Sequence, residues 1–416
     1  MGDIFLNLSH LLLSNIVKYI ERDNDRIIFN DSLDTIEIPD EKKQIIFGNR
    51  LSQLHILTKP FSDRLACSNV DTLSISDRLE IRFDQFPSTI KSLSLSQHSC
   101  SKDFKWLPES LEKLCFYNQF HQQIITQFQS TIRHLEFSEN YNSPIAIRLL
   151  PPQLEVLICR NAYLPKFDGS DQLPSTLTKL DINTDCVRLL SNCNLPALSH
   201  LILNMYREYQ LKQGDIPMAA TKLSLIQMDC QLHPEVLTSQ LRHIEFHYGS
   251  FKLDRNVFSH LDRLETLLFS GACTNSLILG KLPASLKVLE LPSFTYKFVI
   301  SEICEIPGRL DKLTITFNSL TTLLSKQSLP KSLVHLHIYQ GLEPVVVESL
   351  PDDLESMEIT GSNFIFESSS YPSSLRSLTA NKSFFENNSI IDLPTTIVQV
   401  TISTITNYAG ASDEKF

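Results

Sequence analysis

The sequence has no closely spaced pair of cysteines and no long hydrophobic run, and both absences limit the kind of protein it encodes. Its nine cysteines form no C-x-x-C pair, and the two closest are Cys186 and Cys193. An odd number without a regular framework argues against a secreted disulfide scaffold and predicts reduced intracellular thiols. No apolar run reaches the length of about 18 residues that a membrane span requires, and no signal peptide is recognisable. We therefore expect a cytoplasmic protein.

An excess of basic residues is also missing. Lysine and arginine together number 37 against 47 acidic residues, which gives a formal net charge of −10. Proteins that bind nucleic acid or an anionic membrane present a concentrated basic surface. We therefore expect neither nucleic acid nor membrane as a partner.

Motifs for catalysis and for metal binding are absent as well. The sequence contains no G-x-S-x-G, P-loop, H-E-x-x-H or dinucleotide fingerprint. Its twelve histidines follow no metal-ligand spacing; His335 and His337 share one face of a predicted strand but lack a third ligand. We therefore predict no enzyme activity, no cofactor and no metal site.

What the sequence does contain is a repeated motif, apolar-Pro-x-x-Leu-x-x-Leu-x-apolar. Clear copies cover residues 107–117, 173–182 and 282–291. We call the residue after Pro-x-x the anchor of its unit. The eighteen anchors are Leu33, Leu51, Val70, Ile90, Leu111, Ile132, Leu154, Leu177, Leu198, Ala220, Leu241, Leu264, Leu286, Leu310, Leu333, Leu354, Leu375 and Ile397. A short unit repeated at a nearly constant period predicts a solenoid.

Each unit predicts one short strand and a return segment. The alternation in Leu114-Cys115-Phe116 has period two, which suits a strand with one buried face. The upstream proline cannot donate to a β-ladder, so it precedes the strand. Units of the same polarity make the strands parallel and in register, in one long sheet on the inner face. The return segments are rich in proline and serine and predict extended or single-turn structure on the outer face.

Three regions follow along the chain. Residues 1–28 contain one predicted amphipathic α-helix, over 3–22, which caps the open end of the solenoid. Residues 29–403 form the solenoid of about 18 repeats. Residues 404–416 are predicted to be a disordered tail.

The L-P-x-x-L-x-x-L-x-L core of these units, with residues 140–145 (N-Y-N-S-P-I), resembles the FNIP type of leucine-rich repeat that is abundant in social amoebae. The hexapeptide is close to the family's F-N-x-P-I element, residues 120–124 are a poorer copy, and most other units lack it. The resemblance covers about residues 29–403 and implies a leucine-rich-repeat-like solenoid. In this chain only Asn140 and Asn318 occupy the asparagine position of ordinary leucine-rich repeats, so we expect no continuous asparagine ladder.

Residues 8–20 (L-S-H-L-L-L-S-N-I-V-K-Y-I) resemble the first half of an F-box, L-P-x-x-L-L-x-x-I-x-x-Y-L, with Ser9 in place of the proline. The family's second half, with its V-C-K-x-W, has no counterpart. F-box proteins hand substrates to a cullin-RING ubiquitin ligase through the Skp adaptor. The resemblance implies adaptor contacts through four apolar residues, Leu8, Leu12, Leu13 and Ile16.

The solvent side of the predicted sheet carries the residues two, four and six positions after each anchor. Basic residues are frequent at the second position and acidic ones, such as Asp181 and Glu245, at the fourth. These can be compensating charges on a solvated face, where each pair contributes little to stability. Together with tyrosine, arginine and exposed apolar residues, they have the composition of a binding surface. The candidate partner-binding residues are Lys113, Tyr117, His134, Arg160, Lys179, Lys222, His243 and Tyr339.

Two functions are therefore compatible with the sequence. The first is a non-enzymatic scaffold that binds a protein partner on the inner face of the sheet. The alternative is an F-box-type substrate receptor that uses the same face for its substrate and the N-terminal helix for the Skp adaptor. The sequence does not identify the partner.

Overall fold

The structure is a computed structural model of the 416-residue chain. It describes residues 26–28, 53–56, 71–75, 88–95, 107–117, 120, 123–141, 143–160, 172–205, 209–227, 229–248, 252–270, 272–273, 279–294, 304–305, 307–317, 322–324, 329–340, 345–361, 364–366, 371–387 and 393–403. The predicted N-terminal helix, the F-box-like residues 8–20 and the predicted tail 404–416 lie outside the described residues. The chain divides into two compact units, Met1–Leu198 and Ser199–Phe416.

In the first unit, eight strands pair in chain order, and every pair is parallel. The strands are β1 (Arg26–Ile28), β2 (Gln53–Ile56), β3 (Thr72–Ile75), β4 (Ser92–Leu95), β5 (Lys113–Phe116), β6 (His134–Glu136), β7 (Val156–Cys159) and β8 (Lys179–Asn183). Two 3-10 helices, Ile147–Leu149 and Thr184–Asn192, lie in the return segments.

The second unit contains the remaining strands and a short helix. The strands are β9 (His200–Asn204), β10 (Lys222–Ile226), β11 (Gln231–Leu232), β12 (His243–His247), β13 (Lys252–Leu253), β14 (Thr266–Ser270), β15 (Ala272–Cys273), β16 (Gly280–Lys281), β17 (Val288–Phe294), β18 (Cys304–Glu305), β19 (Lys312–Phe317), β20 (Thr322–Leu324), β21 (His335–Gln340), β22 (Val345–Val347), β23 (Ser356–Thr360), β24 (Phe364–Phe366), β25 (Ser377–Asn381) and β26 (Gln399–Ser403). The helix is α1 (Lys382–Asn387), and Pro234–Val236 form a 3-10 turn.

The main sheet of the second unit is again parallel. Its order is β9-β10-β12-β14-β17-β19-β21-β23-β25-β26, and β15 also pairs with β17. The other short strands pair with one another in the return segments, as β11 with β13, β16 with β18, and β20-β22-β24.

The strands begin where the repeat predicts. Each anchor from Leu51 to Ile397 is followed, two positions later, by the first residue of a strand. The pairing keeps equivalent positions opposite each other, as when Leu157 pairs with Leu180. Because side chains alternate along a strand, this register keeps the same face buried in every unit. The predicted solenoid with a parallel sheet is confirmed.

The Pro-x-x segment is a tight turn that ends at the anchor. The amide of Leu111 donates to the carbonyl of Pro108 at 3.0 Å, and the amide of Leu177 donates to the carbonyl of Pro174 at 3.1 Å. Most other units have the same bond. Proline suits the first position of this turn because its carbonyl closes the turn and it has no N–H to leave unpaired.

Three apolar columns make the core, namely the anchors and the residues three and five positions after them. Leu177, Leu180 and Ile182, which belong to one repeat, are all 0% exposed. The same is true of every anchor from Ile90 to Leu375. Full burial of one such side chain contributes about 1.5–3 kcal/mol, so these columns supply the main stabilisation of each unit.

A ladder of hydroxyl groups links neighbouring repeats. Thr176, one position before its anchor, donates from Oγ1 to the carbonyl of the preceding anchor, Leu154, at 2.7 Å. Ser110 makes the equivalent bond to Ile90 at 2.7 Å. Further copies come from Ser285, Ser332 and Ser374. Each bond gives a partner to the carbonyl of a buried residue, and the sequence analysis missed this role.

The return segments combine 3-10 turns, short strands and buried aromatic residues, as expected for extended or single-turn structure. In the two FNIP-like segments, Phe120 and Tyr141 are both 0% exposed. Their rings extend a stack with strand residues. Phe116 lies 4.2 Å from Phe120 and 5.2 Å from Phe137, between ring centroids. The FNIP-like positions therefore complete the core on the side away from the strands.

One strand lies outside the predicted repeat. The strand that pairs with β2 is Arg26–Ile28, with Ile27 opposite Leu54, whereas the strand predicted two residues after the anchor Leu33 lies outside the described residues. The two adjacent isoleucines give β1 its strand propensity. Without an upstream proline, the repeat pattern does not identify it.

The helix α1 was not predicted, because the return segments were expected to be extended or single-turn structure. Asn381 caps the helix, since its Oδ1 accepts the backbone N–H of Phe384 at 3.2 Å. Phe384 is 0% exposed and packs against the rings of Phe364 and Phe366. One cap and one buried aromatic residue therefore order this segment.

The last strand leaves its apolar columns open to solvent. Val400 and Ile402 of β26 are 46% and 57% exposed, whereas the equivalent residues of earlier strands are buried. Within residues 26–403 as described, no strand pairs with the far side of β26. Helices of the described part of the chain are all too short or too polar to span a membrane.

The hydroxyl ladder makes a testable prediction. Thr176→Val removes the hydroxyl but keeps the shape of the side chain, and leaves the carbonyl of Leu154 without its partner. We expect a loss of about 1–3 kcal/mol in the free energy of unfolding, measured by urea denaturation. The matched control is Thr178→Val. Thr178 is exposed and bonds to the carbonyl of Glu155, so water can replace its hydroxyl and the loss should stay below about 0.5 kcal/mol. Equal losses would contradict the ladder.

Candidate interaction face

The residues two, four and six positions after each anchor lie on the side of the sheet opposite the buried columns, and we call this side the polar face. Five of the candidate residues occupy it in the first unit. Lys113, His134, Arg160 and Lys179 are half-buried there, and Tyr117 is 44% exposed. The strand register places them at fixed positions on successive strands.

The fourth-position column is more buried than the sequence predicted. Asp181, expected on the solvent side, is 1% exposed, and Ser224 and Thr314 at the same position are nearly as buried. Over Asp181 lies Arg160, whose Nε donates to Oδ2 at 3.0 Å and which also pairs with Glu139. Long side chains at the second and sixth positions cover the fourth-position column, because neighbouring strands are only about 4.8 Å apart and these side chains lie across them.

Three side chains of metal-ligating type meet on β5 and β6. Cys115 lies opposite Glu136, and His134 precedes Glu136 by two positions on the same strand face. The Cys115 Sγ is 3.6 Å from Glu136 Oε2, and the His134 Nε2 is 3.4 Å from the same oxygen. All three ligand atoms lie within 4.8 Å of one another. In the described part of the chain this is the one such group of three.

The protonation of this cluster follows from its surroundings. Burial and the nearby charge of Glu136 raise the pKa of Cys115 to about 12, so its thiol is protonated at neutral pH. The hydrogen bond with His134 lowers the pKa of Glu136. The cluster was not predicted, because its ligands come from two repeats and show no metal-ligand spacing within one segment. Aligning the repeats by their anchors would have revealed it, because this alignment places Cys115 beside Glu136 of the next repeat.

In the second unit, Glu245 on β12 is the centre of a dense network. Its carboxylate lies 2.6 Å from His243 Nε2 and 3.1 Å from Lys222 Nζ, and it accepts a hydrogen bond from Ser224 Oγ at 3.0 Å. Burial alone raises the pKa of Glu245, but the bonds from these three groups outweigh it and lower the pKa to about 2. The candidate residues Lys222 and His243 are thus half-buried, and both contact the carboxylate of Glu245.

An aromatic cluster occupies the polar face further along the second unit. The ring of Tyr339 lies 4.0 Å from that of His337, between centroids, and His337 Nδ1 is 3.6 Å from Glu358 Oε2. Burial lowers the pKa of His337 and raises the pKa of Tyr339. A neutral imidazole therefore supports Tyr339, which is 37% exposed. Tyr339, the third candidate residue of the second unit, thus packs against His337 and is accessible to solvent.

Comparison with known proteins identifies the fold. Neither a protein-family model nor a curated protein matches this chain. Among solved structures, the circular leucine-rich-repeat protein CroV588 is similar, with 19% identity, a TM-score of 0.61, and coverage of 91% of this chain and 60% of that one. The chain therefore spans less than two thirds of that protein's length.

Two further structures are similar at lower scores. The leucine-rich-repeat protein LIC12759 of Leptospira interrogans has 17% identity and a TM-score of 0.44, over 83% of this chain and 99% of that one. A TLR13–ssRNA13 complex has 15% identity and a TM-score of 0.29, over 81% and 80%. The likeness to CroV588 shows that this chain has a leucine-rich-repeat-like solenoid fold.

The network around Glu245 predicts a pH dependence of stability. The pKa of Glu245 is about 2 in the folded protein, below its ordinary value of 4.5. A lowered folded pKa contributes stability that is present above pH 4.5 and is lost as the pH falls towards 2. We therefore expect Glu245→Gln to be less stable than the wild-type protein at neutral pH, and to lose less stability between about pH 5 and about pH 3, in urea denaturation at each pH.

The matched control for this experiment is Glu265→Gln. Glu265 pairs with Arg242 and Lys287 at exposed positions, where ion pairs contribute about 0–1 kcal/mol. This variant should follow the wild-type pH dependence. If Glu245→Gln also follows it, Glu245 does not hold the charge network together.

Proposed function

We propose that this chain is a non-enzymatic scaffold that binds a protein partner on the polar face of its repeat sheet. One observation carries the proposal, namely that in each unit aromatic and charged side chains occupy fixed positions on the polar face, strand after strand. Tyr117 and Tyr339 are exposed on this face, and hydrogen bonds hold charged residues such as Arg160 and Glu245 elsewhere on it. Ordered aromatic and arginine residues among paired charges are typical of protein-binding surfaces.

The charge distribution favours a protein partner over nucleic acid. The basic residues of the face are interleaved with carboxylates, as in the pairs Arg160–Asp181 and Lys222–Glu245. Each pair neutralises the cation that a phosphate would need. With a net charge of −10, the exclusion of nucleic acid and of anionic membranes stays a prediction, as does the cytoplasmic location.

A partner bound to this face gains from its rigidity. Within each unit, the backbone of an interior strand is paired with a strand on either side, and hydrogen bonds hold face side chains such as Arg160 and His243 before binding. Less conformational entropy is lost when a preorganised surface binds, which raises affinity for a given contact area. Tyr117 and Tyr339 supply large apolar areas with few rotatable bonds and are the expected centres of binding energy in their respective units.

The test removes accessible groups of the face without disturbing its charge networks. The triple variant Tyr117→Ala, Lys179→Glu and Tyr339→Ala leaves Lys222 and His243 with Glu245. The control triple, Ile125→Ala, Met218→Ala and Lys331→Glu, makes similar changes at exposed positions in turns and return segments. Proximity labelling in cells, followed by binding measurements with the purified candidate partner, compares the three forms.

We expect the partner to be lost from the face variant and kept by the control variant. A weakening of at least about 10-fold follows if one tyrosine contributes the 1–2 kcal/mol or more of a binding hot spot. Retention of every partner by a folded face variant, with loss in the control variant, would place the binding surface in the turns and return segments.

The adaptor-binding alternative depends on the F-box resemblance of residues 8–20 alone. Its four predicted contact residues, Leu8, Leu12, Leu13 and Ile16, lie outside the described residues, so it stays a prediction. Pull-down of a Skp-type adaptor by the full chain, but not by a chain lacking residues 1–25, would support it. Equal or absent capture by both would exclude it.

A further inference from the structure

We propose that Cys115, His134 and Glu136 form a binding site for a zinc ion on the polar face of the first unit. The site joins two neighbouring repeats, because Cys115 belongs to β5 and the other two ligands to β6. It does not depend on the protein-binding function proposed above.

Two of the three separations between ligand atoms fit tetrahedral coordination, and the third, from Cys115 Sγ to His134 Nε2, is within 4.8 Å. Zinc bonds of about 2.3 Å to sulfur and about 2.0–2.1 Å to nitrogen and oxygen give tetrahedral edges of about 3.6 Å for S–O and about 3.3 Å for N–O. The measured separations are 3.6 Å from Cys115 Sγ to Glu136 Oε2 and 3.4 Å from His134 Nε2 to the same oxygen. As a hydrogen bond, the second contact is longer than the usual range of about 2.7–3.2 Å. An ion therefore fits with small rotations of the side chains.

The ligand chemistry selects zinc among the common divalent ions. A thiolate and an imidazole favour zinc over magnesium and calcium, which take oxygen ligands. Zinc binding releases the thiol proton of Cys115 to solvent. The thiolate so formed and the carboxylate of Glu136 together balance the two positive charges of the ion. Lys113 lies opposite His134, and its flexible stem lets the ammonium turn away from the ion. The side chains of His134 and Glu136 are 25% and 33% exposed, which leaves the fourth position open to water.

Neighbouring groups support the ligand geometry. The strand register fixes the spacing between Cys115 and Glu136. On the adjacent strand β4, Ser94 lies opposite Cys115 and makes a hydrogen bond with its thiol. Hydrogen bonds of this kind orient metal ligands and are part of well-formed sites.

The chain contains a natural comparison in its second unit. There, Lys222, Ser224, His243 and Glu245 occupy the positions that Lys113, Cys115, His134 and Glu136 occupy in the first. With serine in place of cysteine, the group closes into hydrogen bonds and an ion pair of 2.6–3.1 Å around the carboxylate. It lacks the thiolate, and its carboxylate is already engaged by these contacts, which makes it a matched control.

The experiment measures zinc and cobalt binding by the full chain after chelator treatment. Zinc affinity is obtained by competition with a chromophoric chelator, and cobalt binding by absorption. The variants are Cys115→Ser, Glu136→Gln and the control His243→Gln. Serine already occupies the column of Cys115 at Ser94 and Ser224, so Cys115→Ser should fold, and circular dichroism checks this. Glu136→Gln tests the same site without altering the thiol.

We expect the wild-type chain and His243→Gln to bind the same number of zinc ions. Both site variants should lose one ion, with affinity weakened by at least about 100-fold, because even supporting residues contribute 10- to 100-fold. With cobalt, the wild-type chain should show thiolate-to-metal charge-transfer absorption and Cys115→Ser should show less. Unchanged zinc stoichiometry and affinity in both site variants would overturn the proposal, as would a cobalt spectrum that is the same in Cys115→Ser.

Discussion

The fold depends on the burial of one anchor residue in each repeat. The anchor ends the Pro-x-x turn, and the strand begins two residues later, so its position determines which side chains of the unit enter the core. The anchors from Ile90 to Leu375 are fully buried, and in a solenoid each repeat buries its core against its neighbours, so the repeats stabilise one another. The hydroxyl ladder adds to this coupling, because Thr176 and its equivalents bond to the carbonyl of the preceding anchor.

The polar face is a consequence of that register. Once the apolar columns point inward, the intervening residues must lie on the opposite side, at the same height in every unit. Similar residue types can then form different arrangements. Lys222, Ser224 and His243 close around Glu245, whereas Cys115 and His134 leave a wider group around Glu136. A single exchange of serine for cysteine thus separates a structural network from a proposed metal site.

The sequence predicted the elements that a local repeat encodes and missed those that depend on contacts between repeats. Proline, anchor and alternation are local, so the strand starts from Leu51 to Ile397 followed from them. Strand β1 and helix α1 lack that pattern; α1 depends on a cap by Asn381 and the burial of Phe384. The burial of Asp181 was missed because it arises when Arg160 of the adjacent strand lies over it. The cluster at Cys115 likewise appears only when neighbouring columns are aligned.

The most direct test of this account is the free energy of unfolding of paired alanine variants at an anchor and at the next residue. Leu177 is 0% exposed and Thr178 is exposed. We expect Leu177→Ala to lose about 2–5 kcal/mol and Thr178→Ala to lose less than about 0.5 kcal/mol. Similar losses in the two variants would contradict the claim that the anchors carry the fold.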